Sequence, residues 1–523
     1  MSQPPQQPPG ASQGFGPPPS AFGPVIPPMP STPPTNFAQP AAGRPRQWPA
    51  FLTIAVGIAL VLGCGTVYLT SDGNGSADKP AAGASKGADE GRKNGSGSQT
   101  APLSAKLLFH QFAPKATSAT DRVAGEWLTD KVYAKTGFKD ITGYDRASGT
   151  QLWKLPLPKP ECVTTPQSTA DGVTVIAYDD EKDPKFESAG SCTNLAAFNI
   201  NTGKMLWHTS TPVYGISADG SGDAHLFIEE IAISGGTAAI GSGPTGGAAW
   251  DISTGKLLWK PTANADNCID DGYAGGPALV AVRRCGDYSK PSLSVQTLNP
   301  ATGQPLSTYK VSSAFTDMHV LSSKPLVIGG YPGEGSGAKV SDIYSIDETG
   351  KELAHITVPD EKYAISCKLE VGTCQGPLAG GGKLFLPTAE HGNVSPNVPG
   401  HTNEFVAFDL ATGQPAPGRA DAGDGGKLFP IRMDGDDVIA LRTPPVYGHG
   451  AVVRIEGATM KQTVLLELPN DDKVFNRAIT IYDYRNDDLL YDKGRLYFGD
   501  RLMNKSDDEI EGPHYLFSVL GTT

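Results

Sequence analysis

Charge is scarce in this chain, and what there is leans one way. Only 19% of the 523 residues are charged, whereas glycine (63) and proline (45) are abundant. That balance argues against a helical enzyme and for a turn-rich β-protein with unstructured flanks. A basic excess is also missing. The formal net charge is −12, and Arg44 and Arg46 are the only charged side chains before residue 71, which leaves 41 basic against 55 acidic residues beyond it. Phosphate recognition needs a basic face, so nucleic acid is excluded as a partner. The common catalytic signatures are absent as well. There is no G-x-S-x-G elbow, no H-E-x-x-H, no Walker loop and no kinase set. Gly241–Gly246 is glycine-rich, but no helix follows it, so it predicts no phosphate site.

Residues 1–49 hold sixteen prolines among Gln, Gly, Ser and Ala. Such a segment buries too little apolar surface to offset its chain entropy, and it reads as a disordered cytoplasmic tail. Residues 50–70 carry no charge and are long enough for one transmembrane helix, with Trp48 and Tyr68 where interfacial aromatics belong. Arg44 and Arg46 precede the span and Asp72 follows it, so the positive-inside rule predicts a cell-membrane protein with its C-terminal part outside. Val61-Leu-Gly-Cys64 resembles a lipoprotein cleavage box. The apolar run continues past it, however, and Cys64 reads as a small residue within the span. Residues 71–104 are rich in Gly, Ser, Ala, Lys and Asp and read as a flexible linker.

Six cysteines lie beyond the span: Cys162, Cys192, Cys268, Cys285, Cys367 and Cys374. An even number fits an oxidising compartment, and there is no C-x-x-C to suggest a metal site. Nearest-neighbour pairing places each bridge within one interval of the repeat described next.

A phrase recurs about every fifty residues: an apolar strand, Asp or Asn, then Thr-Gly or Ser-Gly, and often Leu-Trp. It runs Asp145 to Gly149 and Trp153, Asn199 to Gly203 and Trp207, and Asp251 to Gly255 and Trp259. Weaker copies end at Gly303, Gly350 and Gly413, and a seventh is placed at Ile455-Glu456-Gly457. The acid or amide suits turn chemistry, the glycine a positive φ, and the tryptophan packing between adjacent sheets. Period-two alternation of Val, Ile, Leu and Tyr around each copy predicts eight four-strand units over residues 105–523. Units of this size close into a β-propeller, with seven blades as the alternative count. The last unit lacks a fourth strand, and Ala105–Phe112 is expected to supply it.

The phrases at Ala197–Trp207 and Ala249–Trp259 resemble the A-x-D-x-x-T-G-x-x-x-W signature of PQQ-like β-propeller repeats over roughly residues 120–523. Together with the Pro-rich tail and single span, the chain looks like actinomycete envelope proteins. The resemblance covers both quinoprotein dehydrogenases and non-enzymatic scaffolds. The dehydrogenases are expected to hold PQQ over calcium beside a disulfide of adjacent cysteines, whereas the closest pair here is Cys367 and Cys374. No catalytic residue, cofactor or metal is therefore predicted. Asp434–Asp437, Asn470–Asp472 and Asp483–Asp488 match no EF-hand spacing, and His391, His401 and His449 are read as loop residues. The expected role is a non-catalytic extracytoplasmic scaffold binding an envelope protein, peptide or glycan. Its longest loops are placed at Tyr178–Cys192 and Glu390–Asn403. The other reading is a PQQ- or metal-dependent oxidoreductase or a small-molecule sensor using the channel.

Overall fold

The computed structural model describes residues 103–115, 120–179, 192–216, 223–260, 268–287, 290–333, 338–359, 361–444, 448–469, 487–504 and 515–522. The expected tail and span at 1–70, and most of the linker, lie outside them. Among the described residues no helix is long and apolar enough to cross a membrane.

Eight four-stranded antiparallel sheets form the blades of a propeller, so the seven-blade count is set aside. Blade 1 shows the plan: Glu126–Leu128 innermost, then Val132–Thr136, Asp140–Asp145 and, outermost, Gln151–Pro156. Middle strands are covered on both faces by neighbouring blades and lose the polar alternation of a half-exposed strand. Val132–Thr136 is buried at every position, and Leu195 to Phe198 are likewise buried. Outer strands face solvent on one side, and Lys204–Ser210 alternates between exposed and half-buried residues.

The recurring phrase is both a turn and a lock. At Asp251 one carboxylate oxygen accepts the backbone N–H and hydroxyl of Ser253 and of Thr254, while Gly255 N–H returns to the Asp251 carbonyl. Gly255 adopts φ +71°, which side chains with a Cβ rarely reach. A Cβ there would also collide with the ring of Trp207, which arrives from the preceding blade. The same contact joins Trp153 to Gly203 and Trp259 to Gly303. The indole N–H groups of Trp207 and Trp259 donate to the carbonyls of Ile252 and Pro300, each at 2.8 Å. Trp153 makes the ring contact, yet its buried indole nitrogen has no partner.

Where the tryptophan slot holds Ser307 or Ala354, the strands close further. The backbone of Thr308 lies on Gly350, and that of His355 lies on Gly413. The seventh copy needs correcting, because its left-handed position is Met460 (φ +60°) rather than Gly457, with Met460 N–H bonded to the Glu456 carbonyl. The three slot tryptophans are half-buried, not buried. The fully buried ones are Trp127 and Trp250, on inner and third strands.

The ring closes as expected. Blade 8 comprises Asp487–Asp492, Arg495–Asp500 and Tyr515–Gly521, and its outermost strand is the N-terminal Lys106–Phe112, paired antiparallel from Lys106↔Gly521 to Phe112↔Tyr515. Phe109 from this strand packs on Gly149, so it takes the tryptophan's place at the joint with blade 1. Leu103–Ser104 adds a short parallel pairing to the outer strand of blade 7, Gln462–Glu467.

Two outcomes follow for stability. Removing residues 103–112 exposes the edge of Tyr515–Gly521 and unseats the joint with blade 1, so the unfolding midpoint falls sharply; a cooperative melt unchanged by the deletion contradicts the closure. Trp207→Phe, which loses a made hydrogen bond, costs about 1 kcal/mol more in denaturant unfolding than Trp153→Phe, which removes an unpaired donor. Equal losses contradict the assigned bonding.

Candidate functional site

The links between first and second strands, and between third and fourth, lie at one end of the ring, here the turn face; most are tight turns, the longer ones being 165–172 in blade 2 and 410–419 in blade 6. The remaining connections emerge at the opposite end, the loop face, and they carry the additions. Cys162–Cys192, Cys268–Cys285 and Cys367–Cys374 all form disulfides there, in the nearest-neighbour pattern. The long expected loop at Tyr178–Cys192 lies mostly outside the described residues. The other forms a small hairpin, His391–Gly392 against His401–Thr402.

The connection from blade 5 to blade 6, residues 358–377, does more than link. Ser366 and Gln375 pair through both backbone bonds, and Cys367–Cys374 closes the loop between them. This loop is a plug across the channel mouth. Val371 is buried, and its carbonyl accepts Val320 N–H from the innermost strand of blade 5, His319–Ser323. The Glu370 carbonyl meets His319 Nδ1 at 3.2 Å. On the blade 3 side, Glu230 accepts Tyr273 N–H at 2.5 Å through Oε1 and Gly372 N–H at 3.3 Å through Oε2. One carboxyl therefore ties the plug to blades 3 and 4.

Glu230 is one of a set that sequence reasoning missed. Innermost strands of blades 1 to 3 begin with a buried glutamate: Glu126, Glu161 and Glu230. The signal was present as a glutamate opening three successive apolar strands. Burial pushes Glu230 up to about 8 against the lowering effect of its backbone N–H partners. Burial likewise raises Glu126 to about 8, opposed by Lys135, whose ammonium donates to the carbonyls of Val123 and Asp500. Glu161 is raised by burial and restrained by Arg122, 3.4 Å away, and it accepts Ala124 N–H. In blade 4 the acids are paired: Asp270 with Arg283 at 2.6 Å, and Asp271 with Arg284 at 2.7 Å. Arg284 also reaches Asp317.

Among the described residues the plug bears on the blade 3 to blade 5 side of the mouth. Beside it lies a cavity of about 470 Å³ between the plug stem and the innermost strands of blades 6, 7 and 8.

Other residues singled out from sequence fall elsewhere. His391 Nε2 sits 2.7 Å from Glu404, which raises the imidazole, and His401 lies opposite Gly392 in the same hairpin. His449 contacts the Leu468 carbonyl in blade 7. Asp434 pairs with Arg432 and Arg454. Residues 470–472 and 483–486 lie outside the described residues. Among the described residues the one grouping close enough to hold a cation is His319 with Cys367 and Cys374, whose sulfurs are bonded to each other.

A quinone–calcium centre does not fit this mouth. The disulfide spans seven positions instead of forming a ring of adjacent cysteines, and the chain inside it fills the space over blades 3 to 5. Glu230 is tied to backbone N–H groups, and Asp270 and Asp271 to arginines.

The raised Glu230 gives stability a pH dependence of known sign. The stabilisation from its protonated form is complete below the ordinary value of 4.5 and is lost as pH rises toward about 8. Glu230→Gln removes that contribution, so its melting temperature varies less between pH 5 and 8 than the parent's, measured by calorimetry. An unchanged slope contradicts the burial.

A family model described as outer membrane protein assembly factor BamB matches the chain over residues 123–260 and 191–424, which together span more than half of it. Among curated proteins none matches. Similar solved structures include BamB from Moraxella catarrhalis, at 12% identity and TM-score 0.40, over 78% of this chain and 100% of that one. Quinohemoprotein alcohol dehydrogenase ADHIIG from Pseudomonas putida HK5 gives 15% identity and TM-score 0.45, over 81% of this chain and 79% of its own. The repeat phrases, the eight blades and the family match agree: the chain belongs to the PQQ-like β-propeller family of the outer membrane protein assembly factor BamB.

Proposed function

We propose that this protein is a non-catalytic binding scaffold of the cell envelope, anchored through residues 50–70 with its propeller outside the cytoplasm, and that its partner is another protein held at the loop face. The observation that carries the reading is the channel mouth itself. The place where a propeller of this family would hold a reactive group is filled by the chain's own disulfide-closed loop. Every described disulfide braces that same face, whereas the turn face carries none of them. Rigid loops on a rigid ring lose little entropy on binding, which suits protein recognition. Three disulfides favour an oxidising compartment, and the acidic balance keeps the surface away from nucleic acid.

The test is site-specific photocrosslinking of the full chain in living cells. A photoreactive residue at Leu369 or Val394 on the loop face gives discrete protein adducts, and one at Ser148 or Thr254 on the turn face gives none. Adducts confined to the turn face contradict the reading. In parallel, adding PQQ and Ca²⁺ to the purified protein leaves its melting temperature and dye reduction unchanged; stabilisation with dye reduction overturns the non-catalytic assignment.

A further inference from the structure

The plug carries a set of groups that its bracing role does not use. Cys367, Cys374 and His319 each offer one ligand atom, and these atoms lie within 4.8 Å of one another. The two sulfurs belong to the plug, and the imidazole to the first residue of the innermost strand of blade 5, His319–Ser323. Two thiolates and an imidazole are the donors that thiophilic ions such as Zn²⁺ select. Among the described residues neither of the other two disulfides belongs to such a set.

The backbone keeps these groups together independently of the S–S bond. Ser366 and Gln375, immediately outside the cysteines, exchange backbone hydrogen bonds of 3.1 and 2.7 Å. Val371, inside the loop, accepts the N–H of Val320, the residue next to His319, at 2.9 Å. The Glu370 carbonyl meets His319 Nδ1 at 3.2 Å, the kind of backbone contact that orients a metal-binding imidazole. His319 is buried, so its ring keeps this place. A tetrahedral Zn²⁺ with Zn–S of about 2.3 Å and Zn–N of about 2.0 Å sets its ligand atoms roughly 3.5–3.8 Å apart. That spacing falls inside the 4.8 Å limit, and small side-chain rotations reach it once the S–S bond is open.

The bond is also accessible from one side. Cys374 is only partly buried and borders the cavity of about 470 Å³, which gives a small reductant or a metal ion a way in. A dithiol reductant attacks the Cys374 sulfur as its thiolate, the S–S bond breaks, and Cys367 leaves as a thiolate beside the imidazole. The reductant's second thiol then resolves the mixed disulfide and departs as a disulfide itself. Two electrons and two protons have passed to Cys367 and Cys374, now thiols. A divalent ion replaces those two protons, which go to solvent, and takes a His319 nitrogen as its third ligand.

We propose that Cys367, Cys374 and His319 form a redox-gated site for a thiophilic metal ion, with Zn²⁺ as the occupant and water in the fourth position. In the disulfide form the covalent link closes the plug loop on itself. In the metal form the link also reaches blade 5 through His319, so the reduced plug keeps its seat. The site stands whether or not the protein acts as a scaffold.

The experiment uses the full chain in detergent, reduced with a phosphine under argon and titrated with Co²⁺ as the coloured probe, then with Zn²⁺. The reduced protein shows thiolate-to-Co²⁺ charge-transfer absorbance that Zn²⁺ abolishes, and the disulfide form shows none. His319→Gln weakens Co²⁺ binding by at least roughly tenfold, the lower bound for changes around a metal ligand. Zn²⁺ raises the melting temperature of the reduced parent but not that of the disulfide form. Zinc X-ray absorption of the loaded parent, which needs no variant, reads two sulfur neighbours and an imidazole. No charge-transfer band in the reduced parent, affinity unchanged in His319→Gln, or an absorption spectrum without imidazole overturns the inference.

Discussion

The structure depends on one contact repeated at six joints of the ring: part of an outer strand laid on the turn of the next blade. In blades 1 to 3 that part is a tryptophan ring on a glycine, and at the closing joint it is Phe109 on Gly149. At Gly350 and Gly413 it is bare backbone. The glycine serves twice, since its left-handed φ makes the turn and its missing Cβ leaves room for the neighbour. A substitution there meets both constraints together. The turn carboxylates, such as Asp251, hold the turn in the shape that presents the glycine.

Much of this was legible in the sequence, because each phrase carries a glycine and, four residues on, the tryptophan that packs on the next phrase's glycine. The eight blades, the closing strand and the three disulfides could be read from the phrase, the strand count and the cysteine spacing. The same locality explains one error. Glycine was taken as the mark of the left-handed position, so Gly457 was chosen over Met460, which tolerates φ +60° where Glu456 and Thr459 brace the turn. The slot tryptophans pack between adjacent sheets as expected, yet each stays half-buried.

The site was less legible, for a physical reason. A plug has no period, and its partners come from blades far away in sequence: Gly372 meets Glu230 across 142 positions. The disulfide spacing of Cys367 and Cys374 argued against one kind of centre without showing that the loop between them crosses the mouth. Buried glutamates were hidden because an acid at the start of a strand ordinarily reads as a solvated end. Only the closed ring removes that water and raises Glu126 and Glu230.

The ring thus has one face where the locks lie and an elaborated face that carries the disulfides and the plug. Hydrogen exchange of the full chain, alone and with a native envelope extract, tests this division most directly. The account predicts new protection in residues 366–378, 428–431 and 488–489, with turns such as 145–150 and 251–256 unchanged. Protection gained at those turns, with the mouth unaffected, would contradict it.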